Sequence, residues 1–284
     1  MKVGLFIPTY NAGNSFDNVL KDIDESIQNS GIEVKKLMID TFSNDNTVEK
    51  AKRYGFDSYE IKKEDFTHGE VRKRAANYFN GYDYIIYMTQ DVRLHLTAIG
   101  ELISFISKSD HMLVAYGRQI SDPAESTIFE QKARDFNYPS KSIIKSKNDI
   151  KALGVKAAFS SDAFSIYRRG LLMDVGSFPS NILYCEDEYV AAQGIIKGYE
   201  VGYCAEAVVT HSNHMNLKQQ YKRYKSIGDF HKQNQWIQRE FGSNESEGVK
   251  SVLSEWKYLT KNKKAYLIPY SFLIASIKYV AYKF

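Results

Sequence analysis

Val3-Gly4-Leu5-Phe6-Ile7-Pro8-Thr9-Tyr10-Asn11 is the stretch that decides the fold class. Residues 3–8 form a short apolar run without polar alternation, the pattern of a strand covered on both faces in a parallel sheet. Helical spacing follows, with Ser15 as a cap and Val19, Leu20, Ile23 and Ile27 on one face. A second apolar run, residues 34–39, leads into Asp40-Thr41-Phe42-Ser43-Asn44-Asp45-Asn46-Thr47, a polar turn suited to capping the next helix. The order is βαβ, then α again. A third strand is expected over residues 84–88, stopping at Thr89-Gln90-Asp91. Polar clusters at the C-terminal ends of strands are where open α/β sheets bind ligands.

Beyond this point a helix is expected over residues 97–107 and a strand over 112–116, while residues 120–150 read as polar and irregular. Residues 157–167 and 200–210 read as strands flanking a helix that starts near Glu186. From about residue 214 the chain reads as helical, basic and aromatic. The 284 residues are 43% hydrophobic and 25% charged, which excludes a disordered or fibrous chain. Cys185 and Cys204 are too few for a disulfide framework and lack zinc-site spacing, so a reducing compartment is expected. The N-terminus has no basic lead or cleavage site and reads as a strand, not a signal peptide.

The net charge of +4 conceals an asymmetry, because residues 213–284 hold 13 Lys/Arg against 5 Asp/Glu while the rest is mildly acidic. A basic tail could bind nucleic acid or an anionic membrane, and the Tyr, Phe, Leu and Ile interleaved beyond Trp256 favour the membrane. Residues 265–277 are apolar, but Pro269 and Lys278 leave them short of a span, so an interfacial helix is expected.

The polar clusters, taken together and in order, resemble the inverting glycosyltransferases of family 2, which have the GT-A fold: a Rossmann-like, mostly parallel sheet flanked by helices. The resemblance covers roughly residues 1–230 and is nearest to bacterial rhamnosyltransferases of cell-wall or surface polysaccharides. It implies a catalytic domain over residues 1–212, with a donor-binding part to about 118 and an acceptor-binding part after it, and a C-terminal extension over 213–284. Pro8, Thr9, Tyr10 and Asn11 match the family's first-strand motif, and Asp40 the aspartate that accepts from the pyrimidine ring N–H, although Thr41 and Phe42 stand where Asp and Gly are usual. Phe66-Thr67-His68-Gly69-Glu70-Val71-Arg72 matches an F-x-H-G-x-x-R pattern, implying that His68 and Arg72 contact the diphosphate or the sugar.

Thr89-Gln90-Asp91 stands in the place of the Asp-x-Asp motif, with Gln90 and Asp91 on the donor side and Asp91 as metal ligand, Thr89 having replaced the first carboxylate. In Tyr184-Cys185-Glu186-Asp187-Glu188 the match makes Asp187 the general base and Glu186 an acceptor contact. His211 in His211-Ser212-Asn213-His214 is implied as a further metal ligand, His214 less so, ahead of an R-Y-x-x-x-G run from Arg223 to Gly228. The activity implied is transfer of L-rhamnose from dTDP-L-rhamnose to a lipid-linked or polysaccharide acceptor, assisted by Mn²⁺ or Mg²⁺, at the cytoplasmic face of the membrane, with a homo-oligomer as a further expectation for the tail. Alternatives are a UDP-sugar donor, a non-catalytic nucleotide-sugar-binding or scaffold protein and, from the basic tail alone, a nucleic-acid-binding protein.

Overall fold

In the computed structural model, which describes residues 1–212 and 215–284, strand β1 (Val3–Thr9) is buried along its whole length. Its side chains divide by parity as a pleated strand requires. Val3, Leu5 and Ile7 enter the core on one face of the sheet, and Phe6 enters the core on the other. The sheet continues through β2 (Val34–Asp40), β3 (Asp57–Glu60), β4 (Tyr84–Met88), β5 (Arg93–Leu94), β6 (Met112–Ile120), β7 (Ile143–Lys145), β8 (Phe164–Arg168) and β9 (Glu200–Thr210). The spatial order is β3-β2-β1-β4-β8-β6-β9-β5, with β5 and β7 pairing with opposite ends of β9.

Neighbours β1–β2, β2–β3, β1–β4 and β6–β9 are parallel, whereas β8 runs antiparallel between β4 and β6. The sheet is therefore mixed at its centre. Helices α1 (Phe16–Ser30), α2 (Thr47–Arg53), α3 (His68–Tyr78), α4 (Ala98–Ile106), α5 (Ile128–Asn137), α6 (Ile150–Leu153), α7 (Arg169–Asp174) and α8 (Glu186–Lys197) complete the body. Phe16, Val19, Leu20 and Ile23 of α1 and Ile99, Leu102 and Ile103 of α4 cover one face; Val71, Ala75 and Ala76 of α3 and Val190, Ala191 and Ile195 of α8 cover the other.

Three sequence expectations change. Ser15 makes no side-chain cap to α1. Residues 120–150 are not irregular: Thr127 and Glu130 form a reciprocal capping box at the start of α5, and β7 docks on β9. Residues 157–163 are not strand, and only β8 is. Asp162 turns inward and accepts from Ser165 Oγ at 2.6 Å and Tyr167 Oη at 2.9 Å, Ser161 Oγ accepts from Gln119 Nε2 at 2.8 Å, and Ser160 is buried with its Oγ unpaired among the described residues.

After β9 the chain is helical, in α9 (Leu217–Gln233), α10 (Gln235–Phe241), α11 (Asn244–Lys261) and α12 (Ile268–Lys283). Helix α12 packs against α9 at Gly228, where an added Cβ would stand 2.1 Å from the carbonyl oxygen of Tyr282. That contact is backbone on backbone and cannot give way by a rotamer change. Gly228→Ala is therefore expected to cost about 1–3 kcal/mol and to lower amide protection in α12 more than in the sheet, measurable by urea unfolding and hydrogen exchange.

Candidate active site

The ends of β1 and β2 are sewn together before any ligand arrives. Thr9 faces Asp40 across the parallel ladder, and its hydroxyl donates to Asp40 Oδ2 at 2.7 Å. Asp40 is wholly buried and also accepts from Ser43 N at 2.6 Å and Ser43 Oγ at 2.7 Å. Asn11 ties the two loops together, its N–H donating to Ser43 Oγ and its Oδ1 accepting from Asn44 N. Pro8 and Thr9 are buried, while Tyr10 and Asn11 reach solvent. Gln90 clasps the Tyr10 backbone at both ends, accepting from its N–H at 2.8 Å and donating to its carbonyl at 3.1 Å. The loops after β1, β2 and β4 thus share one rim.

At the end of β4, Asp91 accepts from Thr89 Oγ1 at 2.6 Å and lies 3.2 Å from His211 Nε2. Burial pushes the Asp91 carboxyl up, but His211 and the Thr89 hydroxyl outweigh it and hold the group well below the usual carboxylate range. His211 Nδ1 lies 2.9 Å from Gln119 Oε1 and 3.1 Å from a terminal nitrogen of Arg134. Nε2–H donates to Asp91 when no cation is bound; with the proton held on Nδ1 and given to Gln119, Nε2 would be free to bind a cation beside Asp91. Two ligands of one divalent cation at right angles stand about 3 Å apart, so the pair has the span of a chelate, and its oxygen and nitrogen donors suit Mn²⁺. No set of three or more His, Cys, Asp or Glu side chains among the described residues is placed to hold a metal ion by itself, so the rest of a cation's shell would come from substrate and water. His214 lies outside the described residues.

The second centre is built where α3, the 157–163 loop and α8 meet. Arg72, 3% exposed, forms an ion pair through Nη1 with Glu186 Oε1, and its Nε lies 3.0 Å from Asp162 Oδ2, close as charges but not aligned as a hydrogen bond. Glu186 and Asp162 are likewise buried. Asp187, half-buried, accepts from Asp162 N at 3.2 Å and Glu188 N at 2.8 Å. Three carboxylates thus share one guanidinium. Burial, then the charges of Glu186 and Asp162, push the Asp187 carboxyl well above its ordinary range; burial also raises Glu186 and Asp162, against the pull of Arg72.

His68 stands edge-on to Phe66 at 5.1 Å and near Tyr184 at 5.9 Å, with its buried Nδ1 lacking a hydrogen-bond partner among the described residues. Burial, with the charges of Arg72 and Arg223, pulls it down to about 3, so the ring is neutral near pH 7. Gly69 explains the rest of that motif: a Cβ there would meet Pro179 O at 2.0 Å, and its N–H donates to Ile182 O at 3.1 Å, so glycine admits the loop that carries Tyr184.

The two centres belong to one network. Gln119, beside His211, donates through Nε2 to Ser161 Oγ at 2.8 Å and Tyr138 Oη at 2.7 Å, and the next backbone N–H, that of Asp162, donates to Asp187. Gln119, Arg134, Ser161 and Asp162 escaped the sequence reading. A lone acid inside the apolar-looking run AAFSSDAF was the available signal for Asp162; Gln119 and Arg134 offered none.

The charge balance makes a stability prediction. Arg72→Met would leave the buried carboxylates uncompensated, at about 3–5 kcal/mol. Carboxyls whose folded pKa is raised bind protons more tightly folded than unfolded, so the unfolding free energy falls as pH rises from about 4 through the raised values. The deficit of the variant is therefore expected to be larger at pH 8 than at pH 5 in urea unfolding.

A family model, Glycosyl transferase family 2, matches residues 5–176. The chain is 40% identical over 286 residues to the O-antigen chain rhamnosyltransferase RfbN of Salmonella typhimurium, covering all of this chain and 89% of that protein. It is 36% identical to the O-antigen chain rhamnosyltransferase WbaN of Salmonella anatum, covering 98% and 87%. In fold it is similar to residues 1–349 of S. aureus TarS, with a TM-score of 0.57 at 13% identity over all of this chain and 89% of that one. A second likeness is the mannosyltransferase PcManGT from Pyrobaculum calidifontis in complex with GDP-Man and Mn²⁺, with a TM-score of 0.57 at 12% identity, covering 99% and 74%. A mixed sheet with strand-end polar centres, matched over most of its length in these ways, identifies the chain as a member of glycosyltransferase family 2 with the GT-A fold.

Proposed function

We propose that the protein transfers L-rhamnose from dTDP-L-rhamnose, with inversion, to a saccharide acceptor in surface polysaccharide synthesis. The observation that carries this reading is the run of contacts from Asp91 through His211 and Gln119 to Ser161, whose chain neighbour Asp162 donates its backbone N–H to Asp187. It joins a site fit for a diphosphate to a basic carboxylate. The rhamnosyltransferase relatives supply the sugar, and the acceptor is read as a lipid-linked saccharide or growing polysaccharide.

In this reading the acceptor hydroxyl gives its proton to Asp187 while its oxygen attacks the anomeric carbon from the face opposite the nucleotide. The bond from that carbon to the diphosphate oxygen breaks, and the transition state has oxocarbenium character. A raised pKa makes Asp187 a stronger base than an ordinary carboxylate once it is ionised. A divalent cation, Mn²⁺ or Mg²⁺, held by Asp91 and His211 would supply Lewis-acid neutralisation of the leaving diphosphate. Tyr10, Asn11 and Gln90 serve the nucleotide at the rim, while Asp40, wholly buried and engaged by Thr9 and Ser43, holds their loops and does not reach the base as this structure stands. Neutral His68 is suited to a sugar hydroxyl. Arg72 and Glu186, enclosed together, act on the chemistry by placing and charging Asp187 and not by reaching substrate.

The test is a panel of dTDP-L-rhamnose and UDP-sugars, with and without Mn²⁺, scored by thermal stabilisation and product formation. Asp187→Asn is expected to keep donor binding while lowering turnover by roughly 10² to 10⁴; turnover near that of the wild type would remove the base role from Asp187. Transfer from UDP-sugars alone would replace the donor, and binding without any transfer would favour a scaffold protein.

The C-terminal helices support attachment to a membrane surface. No helix among the described residues is long and apolar enough to cross a membrane. Tyr266, Phe272, Tyr279 and Phe284 are 75%, 60%, 55% and 78% exposed, beside exposed Lys257, Lys261, Lys263 and Lys264. Each such lysine is worth about 1 kcal/mol near an anionic surface, and the rings suit the headgroup boundary. Because α12 packs on α9, substitution is a cleaner test than deletion. Lys261→Glu with Lys264→Glu is expected to release the protein from anionic liposomes in low-salt sedimentation; wild-type protein that stays in solution would assign the surface to a second copy of the chain.

A further inference from the structure

Phe42 is a bulky aromatic residue held at φ 54°, a left-handed conformation that disfavours any side chain beyond Cα. Strain of this kind persists only where its surroundings enforce it, and here they do. On one side, Thr41 N donates to Thr9 O at 2.9 Å. On the other, Ser43 gives both its N–H and its hydroxyl to Asp40, and its oxygen accepts from Asn11 N at 2.8 Å. Phe42 is the tip of a turn closed beneath it. Yet the residue is 58% exposed, with no aromatic ring or cation stacked on its ring among the described residues. The chain spends strain to hold an apolar ring in water.

The position of that ring supplies its partner. Thr9 and Asp40 are register partners, so Tyr10, one residue past β1, and Phe42, two residues past β2, both lie in loops at that end of the sheet. Tyr10 is 47% exposed and carries Lys63 Nζ at 5.4 Å from its ring centre. On the other side of β1, Gln90 ties Tyr10 to the end of β4, next to Asp91. From β4 to β2 is two inter-strand spacings, about 10 Å. A nucleoside diphosphate with its phosphates at Asp91 would extend along the strand ends that far, toward the loops that carry Tyr10 and Phe42.

We propose that Phe42 contacts the nucleobase of the donor and, by packing an apolar ring against the C5 methyl group, favours thymine over uracil. This rests on the nucleotide-sugar reading given above and names the residue that tells the two pyrimidine donors apart. Stacking explains affinity for the base face, and the methyl contact explains choice between bases that offer the same ring N–H and carbonyls.

Calorimetry of dTDP, dUDP (which differs from dTDP only in lacking the C5 methyl) and pyrophosphate, each with Mn²⁺, on wild-type protein, Phe42→Gly and Phe42→Tyr tests it. Glycine adopts φ 54° without strain, so Phe42→Gly is expected to fold at least as stably as wild type, and a lost affinity cannot be laid to misfolding. The expected result is about a tenfold loss for dTDP, in the range that base–aromatic stacking supplies, with the preference for dTDP over dUDP erased and pyrophosphate affinity unchanged. Phe42→Tyr should restore both affinity and preference. Wild-type affinity for dTDP in Phe42→Gly, an equal loss of dTDP and pyrophosphate, or a wild-type protein that does not prefer dTDP would each overturn the assignment of Phe42. Wild-type protein that binds neither nucleotide would instead overturn the donor reading itself.

Discussion

The ion cluster around Arg72 is the interaction on which the rest of the site depends. One guanidinium, brought by α3, lies among carboxylates from two other segments: Glu186 at the first turn of α8 and Asp162 in the loop before β8. A buried ion pair of this kind contributes little net stability, because desolvation offsets most of the attraction. Its value is positional. It fixes the start of α8 against α3 and leaves Asp187 one residue further on, half-buried and beside more negative charge than Arg72 can neutralise. A proton is then held more tightly at Asp187 than in water, which is the electrostatic property a general base uses.

The loop that carries Asp162 is itself held by charge placed in an apolar setting. Lys145, from β7, is buried with no carboxylate paired to it among the described residues and donates to the carbonyls of Lys156 at 3.0 Å and Phe159 at 2.5 Å, with the Tyr116 ring 4.9 Å from Nζ. Burial pulls the lysine down to about 7. The carbonyls and ring face replace water around the ammonium, and in return the lysine pins the backbone immediately ahead of Ser160, Ser161 and Asp162. The antiparallel entry of β8 between β4 and β6 then delivers that loop to the end of the sheet where Asp91 and His211 lie. Reversal of a single strand thus brings the base and the diphosphate side of the site into one hydrogen-bonded group.

Much of the fold was legible because it is local. The apolar run of β1, the face of α1 built on Val19, Leu20 and Ile23, and the limits of β4 and β9 all follow from periodicity and punctuation in adjacent residues. The strand-end clusters were legible for the same reason, since Thr9, Asp40, Gln90 and Asp91 sit where an apolar run stops. Residues 120–150 and 157–163 were misread because α5 and β7 have little apolar periodicity, and because the inward-facing polar residues of the loop hide within an apolar composition.

The sequence by itself determined which residues end each strand and which carboxylates stand together at the start of α8. Only the tertiary structure decided what those groups face. Arg72 and Glu186 are 114 residues apart, and His211 and Asp91 are 120 apart, so no local pattern records that they meet. Arg72 and its neighbour Lys73 look alike as charges in the chain; the fold buries Arg72 among carboxylates and leaves Lys73 partly exposed. Burial and long-range pairing set the charge state of each group, and these are properties of the assembled sheet and helices rather than of any segment.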